Sequence, residues 1–274
     1  MFKIKKYIPD IVVAIILIAG IGLLAYPTIG DYINALHSSK AIGSYVEKTK
    51  DLSKEEKENL LREAREYNES LVGKVNRYYL NEEEKKRYAH ILDITKTGIM
   101  AYVEIPKLNI YMPVYHGTDE GVLQIAAGHL PGSSLPVGGE NTHSLISGHR
   151  GLPSAKLFTD IDKLKKGDLF FIHVFDEVLA YKVNQIKIVL PDDVETLEIE
   201  KGKDYVTLIT CTPYGVNSHR LLVRGERTVY KQSESKIEDM IKKNNLKYIM
   251  LTAGVILALI GMTVLVSEIG RASC

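Results

Sequence analysis

The hydrophobic pattern of this chain changes character several times between its ends. From Ile11 to Tyr26 apolar residues form an almost unbroken run, IVVAIILIAGIGLLAY, preceded by Lys3, Lys5 and Lys6. With its flanks the run reaches the roughly 17–25 residues that a bilayer span requires. The lysines predict a cytoplasmic start and an outward path for the chain beyond the run. No small-x-small cleavage site directly succeeds the run, so an uncleaved anchor is expected rather than a signal peptide. A second run, Tyr248–Val266, carries no charge and has about the length of a transmembrane helix. Two spans would leave both termini in the cytoplasm and residues from about 30 to 245 outside. Lys242, Lys243 and Lys247 run against that orientation and Arg271 supports it; the first helix is taken to decide.

Between the spans the pattern is first helical, then stranded. Ser53 and Glu56 have the spacing of a capping box. Leu60, Leu61, Ala64, Tyr67, Leu71 and Val72 come next at helical intervals. Asn81 opens a second polar segment, NEEEKKR, that ends in Tyr88, Ile91 and Leu92. Residues 31–97 therefore predict a helical extension, either a surface hairpin or a movable cover. From Ile99 short runs rich in β-branched and aromatic residues take over: MAYVEIP, NIYMPVY, HSLISGH, DLFFIHVF, VLAYKVNQIKIVL, YVTLITC and RLLVRG. Gly, Pro, Asn and Asp separate them. Short strands with little helix between them indicate a closed barrel or a sandwich. A helix is expected over Asp119–Ala127, and a turn or short helix over Pro153–Leu164. The expected boundaries are an anchor at 1–30, the extension at 31–97, a β domain at 98–230, a polar connector at 231–247, a second span at 248–267 and a tail at 268–274.

Composition changes this picture little. The 274 residues carry a formal net charge of +1, so there is no electrostatic argument for nucleic-acid binding. No H-x-x-x-H or EF-hand spacing occurs, and neither a metal nor a cofactor is expected. The two cysteines, Cys211 and Cys274, would lie on opposite sides of a membrane and could not pair; neither belongs to a C-x-x-C. A lone thiol on an exported domain is a candidate reactive group, against the plainer reading of a small core residue.

The candidate chemistry gathers at strand ends, where a rigid scaffold can hold it. Cys211 ends YVTLITC, the polar loop TPYGVNSH comes after it, and Arg220 opens the next strand. If these strands pair as a hairpin, Arg220 faces Cys211 and adds a permanent cation near the sulfur. Nearby cations raise the thiolate fraction of a cysteine. His149 ends HSLISGH and is suited to protonating a leaving amine near neutral pH. An arginine also suits an oxyanion.

The stretch TLITCTPYGVNSHRLLVRGER resembles the Cys-to-Arg signature of sortases, T-L-x-T-C with a downstream Arg. The stretch HLPGSSLPVGGENTHSLISGHRGLPSAKLF resembles the histidine region of class C, the pilin-polymerising sortases. The similarity runs from about Gly98 to Arg227, and the helical extension and second span agree with class C. The resemblance implies a mainly β fold, a closed sortase-type barrel with short helices. It makes Cys211 the nucleophile, His149 the general acid/base and Arg220 the stabiliser of the transition state. Thr210 matches the signature threonine and is expected along the substrate groove. The activity implied is that of a membrane-anchored cysteine transpeptidase on the outer face of a Gram-positive plasma membrane. It would cleave an L-P-x-T-G-like signal on a pilin or surface protein between Thr and Gly, forming a thioacyl enzyme, and pass it to an amine. For class C that amine is a pilin lysine.

One departure concerns the cover. Class C sortases often carry an Asp-Pro-aromatic lid motif in the extension, whereas this chain reads Tyr78-Tyr79-Leu80 before NEEEKK. That leaves either a cover held by Tyr78 or Tyr79, or an open site, and assigns no lid residue. Competing readings are a sortase that uses a peptidoglycan amine, a cysteine protease resolved by water, and a tethered binding domain with a structural Cys211.

Overall fold

A computed structural model describes residues 4–230 and, beyond them, only positions 250, 254 and 261. The connector, nearly all of the second span and the tail thus lie outside the described residues.

The apolar run is helical. It forms the first part of one helix, α1 (Ile4–Asp51), about 70 Å long at 1.5 Å per residue. Over the apolar segment the side chains described are mostly exposed, Leu23 and Leu24 at 77% and 82%. By length and composition this part of the helix is long and apolar enough to cross a membrane. Further along, Ser38, Ile42, Tyr45 and Thr49 are buried. Their spacing of four, three and four residues makes one stripe on the helix, and that stripe rests on the β domain. Tyr45 fixes the contact. Its hydroxyl donates to the Met100 carbonyl (3.1 Å) and accepts from the Phe175 amide (2.9 Å). Its ring stacks on Phe175 and meets Tyr102 edge-on.

The expected capping box opens α2 (Lys54–Leu71): Ser53 accepts from the Glu56 amide and Glu56 from the Ser53 amide. Asn81 and Glu84 repeat the arrangement at α3 (Glu82–His90). Leu61, Ala64, Tyr67, Asn68 and Leu71 form the buried face of α2. Asn68 pairs with both backbone groups of Leu135, which seats this helix on a loop of the barrel.

Among the described residues eight strands close into a barrel in the order β1-β2-β3-β4-β7-β8-β6-β5. They are β1 (Ile99–Ile105), β2 (Ile110–His116), β3 (Ala127–His129), β4 (Thr142–Ser147), β5 (Leu169–Val174), β6 (Glu177–Val189), β7 (Asp204–Thr212) and β8 (His219–Arg227). β2–β3 and β4–β7 are parallel and the other pairs antiparallel. Closure removes the exposed edges that an open sheet would present. Val103, Val114, Ile146, Ile172, Val206 and Val223 are among the fully buried residues of the main core.

Two local expectations change. The helix over Asp119–Ala127 shrinks to α4 (Glu120–Leu123), and Ala127 instead begins β3. Three residues are too few to show a strand period, and β3 exists because β2 and β4 flank it. Over Pro153–Leu164 the chain forms turns and one 3₁₀ turn, Ile161–Lys163.

Candidate active site

Strands β7 and β8 form the expected hairpin, and its register pairs Cys211 directly with Arg220. Directly opposed residues of an antiparallel pair project from the same face, with Cα atoms about 4.5–5.5 Å apart. The Cys211 thiol is free and partly exposed. Between the strands the loop turns through a cis Thr212–Pro213 bond. The Arg220 guanidinium donates to the carbonyls of Asn217 and His219, each at 3.2 Å, so it is held at the loop end of its strand.

The parallel pairing of β4 with β7 brings in the histidine. Ser147 pairs with Ile209, and the next residue, Gly148, still donates its amide to the Ile209 carbonyl (3.0 Å). His149 is the next residue, two beyond the end of β4. Gly148 has a steric reason: a Cβ there would lie 2.6 Å from the Phe158 ring. Among the described residues the buried Nε2 of His149 has no hydrogen-bond partner; it lies 3.6 Å from a carboxylate oxygen of Glu120, at the start of α4. A hydrogen bond from Gln124 and then the charge interaction with His149 hold the Glu120 carboxyl below its ordinary range. The sequence pattern did not single out Glu120; nothing in its own neighbourhood signals that α4 abuts His149.

Thr210, expected along the substrate groove, precedes Cys211 on β7. Neighbours along a strand point to opposite faces, so Thr210 turns away from the side that bears Cys211. It is 1% exposed, and its hydroxyl donates to the Gly148 carbonyl at 2.7 Å. That bond ties it to the residue before His149.

On the Cys211 side, Ile209 and Leu222 precede the pair by one strand repeat. With Leu145, Val189 and Leu197 they form a second apolar cluster, packed by Tyr78 and Leu130. Tyr78 arrives from the loop between α2 and α3. The adjacent Arg77 is buried (3% exposed) and donates to the Leu197 carbonyl (2.6 Å) and the Tyr78 hydroxyl (2.7 Å). The same loop lies tightly on the barrel at Gly132, where a Cβ would collide with the Arg77 carbonyl. Tyr79, the other candidate, is 85% exposed.

The fold has known counterparts. The chain is 49% identical to sortase C1 of Streptococcus agalactiae in its crystal structure, with a TM-score of 0.68, over 100% of that chain and 70% of this one. The chain belongs to the sortase family. The Sortase domain model matches residues 103–228, and within the family this sortase is most like class C. It is 47% identical to the Streptococcus pneumoniae sortase C, in a structure reported for catalysis and pilin substrate specificity (TM-score 0.64, covering 71% of this sortase and 99% of that chain). A lid mutant of sortase A from Corynebacterium diphtheriae is 40% identical (TM-score 0.62, covering 68% and 100%). Sortase A of Streptococcus agalactiae serotype III is 28% identical over 153 residues. Sortase A of Bacillus anthracis is 31% identical over 133. The sortase spans 61% of the length of each of those two relatives.

Proposed function

We propose that this sortase is a membrane-anchored cysteine transpeptidase that polymerises pilin subunits through an L-P-x-T-G-like sorting signal. The observation that carries the reading is the register that sets Cys211 opposite Arg220, with His149 two residues beyond the end of the neighbouring strand β4. In this reading the Cys211 thiolate attacks the carbonyl of the signal's threonine. The oxyanion that develops is held by the Arg220 guanidinium. His149 gives its proton to the departing glycine amine, and the Thr–Gly bond breaks as the thioester forms. An incoming lysine amine then attacks the thioester. It loses a proton to His149, forms an amide with the threonine carbonyl and releases the Cys211 thiolate, which restores the starting protonation of the pair. Glu120 lies where a carboxylate can orient the imidazole.

The helix α1 supports anchoring by its exposed apolar segment, which passes by length and composition as a membrane span. The pilin acceptor is supported by likeness to a sortase C reported for pilin substrate specificity. We read the Arg77–Tyr78 loop as a cover. Its tyrosine occupies an apolar cleft beside Cys211 where an extended signal peptide could otherwise lie.

The test is mass spectrometry of the protein mixed with an LPxTG peptide and a lysine-bearing amine. An acyl adduct on Cys211 that passes to the amine, and is absent from Cys211→Ala, is the expected result. Release of free acid regardless of added amine would instead mark a protease.

A further inference from the structure

Nothing in the proposed chemistry calls on α1 beyond tethering, yet α1 touches the loop that carries the histidine. The chain leaves β4 at Ser147, passes His149 and makes an excursion over 150–157 before Phe158 returns to donate its amide to the His149 carbonyl (3.1 Å). At the tip, the Asp31 carboxylate of α1 accepts from the Lys156 amide at 2.9 Å. One residue earlier on α1, a Cβ on Gly30 would come 2.9 Å from the Ser154 carbonyl oxygen and 3.0 Å from its Cα. Only a residue without a side chain lets helix and loop approach so closely.

The loop is also held in a conformation it would not choose alone. Leu157, buried at 3%, has φ +39, a region that branched side chains seldom occupy and that persists only where surrounding contacts over-determine it. The next residue, Phe158, is fully buried, and its ring lies against Gly148. A continuous set of contacts therefore runs from Gly30 and Asp31 through Ser154 and Lys156 to Phe158, and from there to His149. Gly30 lies about one helical turn beyond the end of the apolar run at Tyr26, so these contacts begin where the lipid-facing segment ends.

We propose that Gly30 and Asp31 are positioning residues, and that the membrane helix sets the placement of His149 by clamping the tip of its loop. The proposal rests on the sortase reading for the role of His149, but the clamp itself does not. It predicts that the helix does more than keep the enzyme at the membrane: it lowers the freedom of the acid/base group, and misplacement of such a group by about 1 Å costs up to about a hundredfold in rate.

The experiment uses the full chain in lipid nanodiscs, comparing wild type with Asp31→Ala, Asp31→Asn and Gly30→Leu. Hydrogen exchange of residues 151–158 reads the clamp without any substrate, and LPxTG-peptide transfer to an amine reads its consequence. In Asp31→Ala the loop amides should exchange roughly tenfold faster, as expected on losing a charge-assisted hydrogen bond. The turnover number should fall roughly tenfold with KM within about twofold, at an unchanged thermal midpoint. Asp31→Asn keeps an acceptor oxygen and should restore most of both. Gly30→Leu should act like Asp31→Ala, because it wedges the loop away. Wild-type exchange in both Asp31→Ala and Gly30→Leu overturns the clamp. Faster exchange with wild-type turnover overturns its role in placing His149. A wild-type chain that forms no acyl adduct defeats the sortase reading instead, while the exchange arm still decides whether the clamp exists.

Discussion

Cys211 and Arg220 are direct partners across the β7–β8 hairpin, so a thiol and a permanent cation share one face of the barrel at the mouth of a single loop. The hairpin register sets their spacing. Arg220 is tied to its own loop carbonyls, leaving its charge available to a neighbour.

Replacing Arg220 separates charge from geometry. Arg220→Ala should lower turnover by about 10²–10³-fold, the usual loss on removing one oxyanion donor. Arg220→Lys should recover only part of it, since a lysine keeps the charge but not the planar fork. Steady-state transfer of an LPxTG peptide measures both. Equal activity of Arg220→Ala and wild type would remove Arg220 from the chemistry.

Thr210 offers a test of bracing rather than contact with substrate. Thr210→Val keeps the shape but deletes the donor to the Gly148 carbonyl, leaving that acceptor buried at a cost of about 1–3 kcal/mol. A lower denaturation midpoint is expected, together with reduced turnover and nearly unchanged KM. A large rise in KM with unchanged stability would return Thr210 to the substrate groove.

The cover can be probed through the thiol. Tyr78→Ala empties the seat among Leu145, Ile209 and Leu222, and Arg77→Ala removes the donor to Leu197. Either should speed alkylation of Cys211 by a bulky maleimide severalfold, whereas Tyr79→Ala should not, because Tyr79 is exposed. Equal labelling in all three variants and wild type would mean the loop does not restrict access.

Acid should unfold the barrel through its buried histidines. Burial pushes His129 down to about 3 and His143 down to about 4. Both rings are held neutral among hydrogen-bond partners: Ser134 and Tyr88 for His129, Glu198 and Thr207 for His143. In the unfolded chain each takes up a proton near pH 6.5, so the unfolded state binds more protons between about 6.5 and 4. Their contribution is complete above about 6.5 and falls on the order of 1 kcal/mol per histidine for each pH unit below it. Urea midpoints measured from pH 7 to 4 should decline accordingly. His143→Gln, which leaves a neutral side chain, should flatten the slope; an unchanged slope would assign the acid sensitivity to other groups.

Much of this molecule is written in contiguous residues. The capping box at Ser53, the stripe on α2 and the strand runs on either side of TPYGVNSH are all decided within a few turns or one hairpin, where backbone geometry and short-range burial suffice. The Cys211–Arg220 pairing is legible for that reason. Glu120, the seat of Tyr78, the three-residue β3 and the inward turn of Thr210 were not legible, because each depends on a neighbour far along the chain. His149 lies just beyond β4, whose parallel partner β7 is far along the chain: the Thr210–Gly148 hydrogen bond between them spans 62 residues. Asp31 reaches the same loop across 125 residues. No local propensity selects such partners. Parallel pairing and barrel closure are chosen by which arrangement buries the apolar faces of all the strands at once, and that is a property of the assembled fold rather than of any segment.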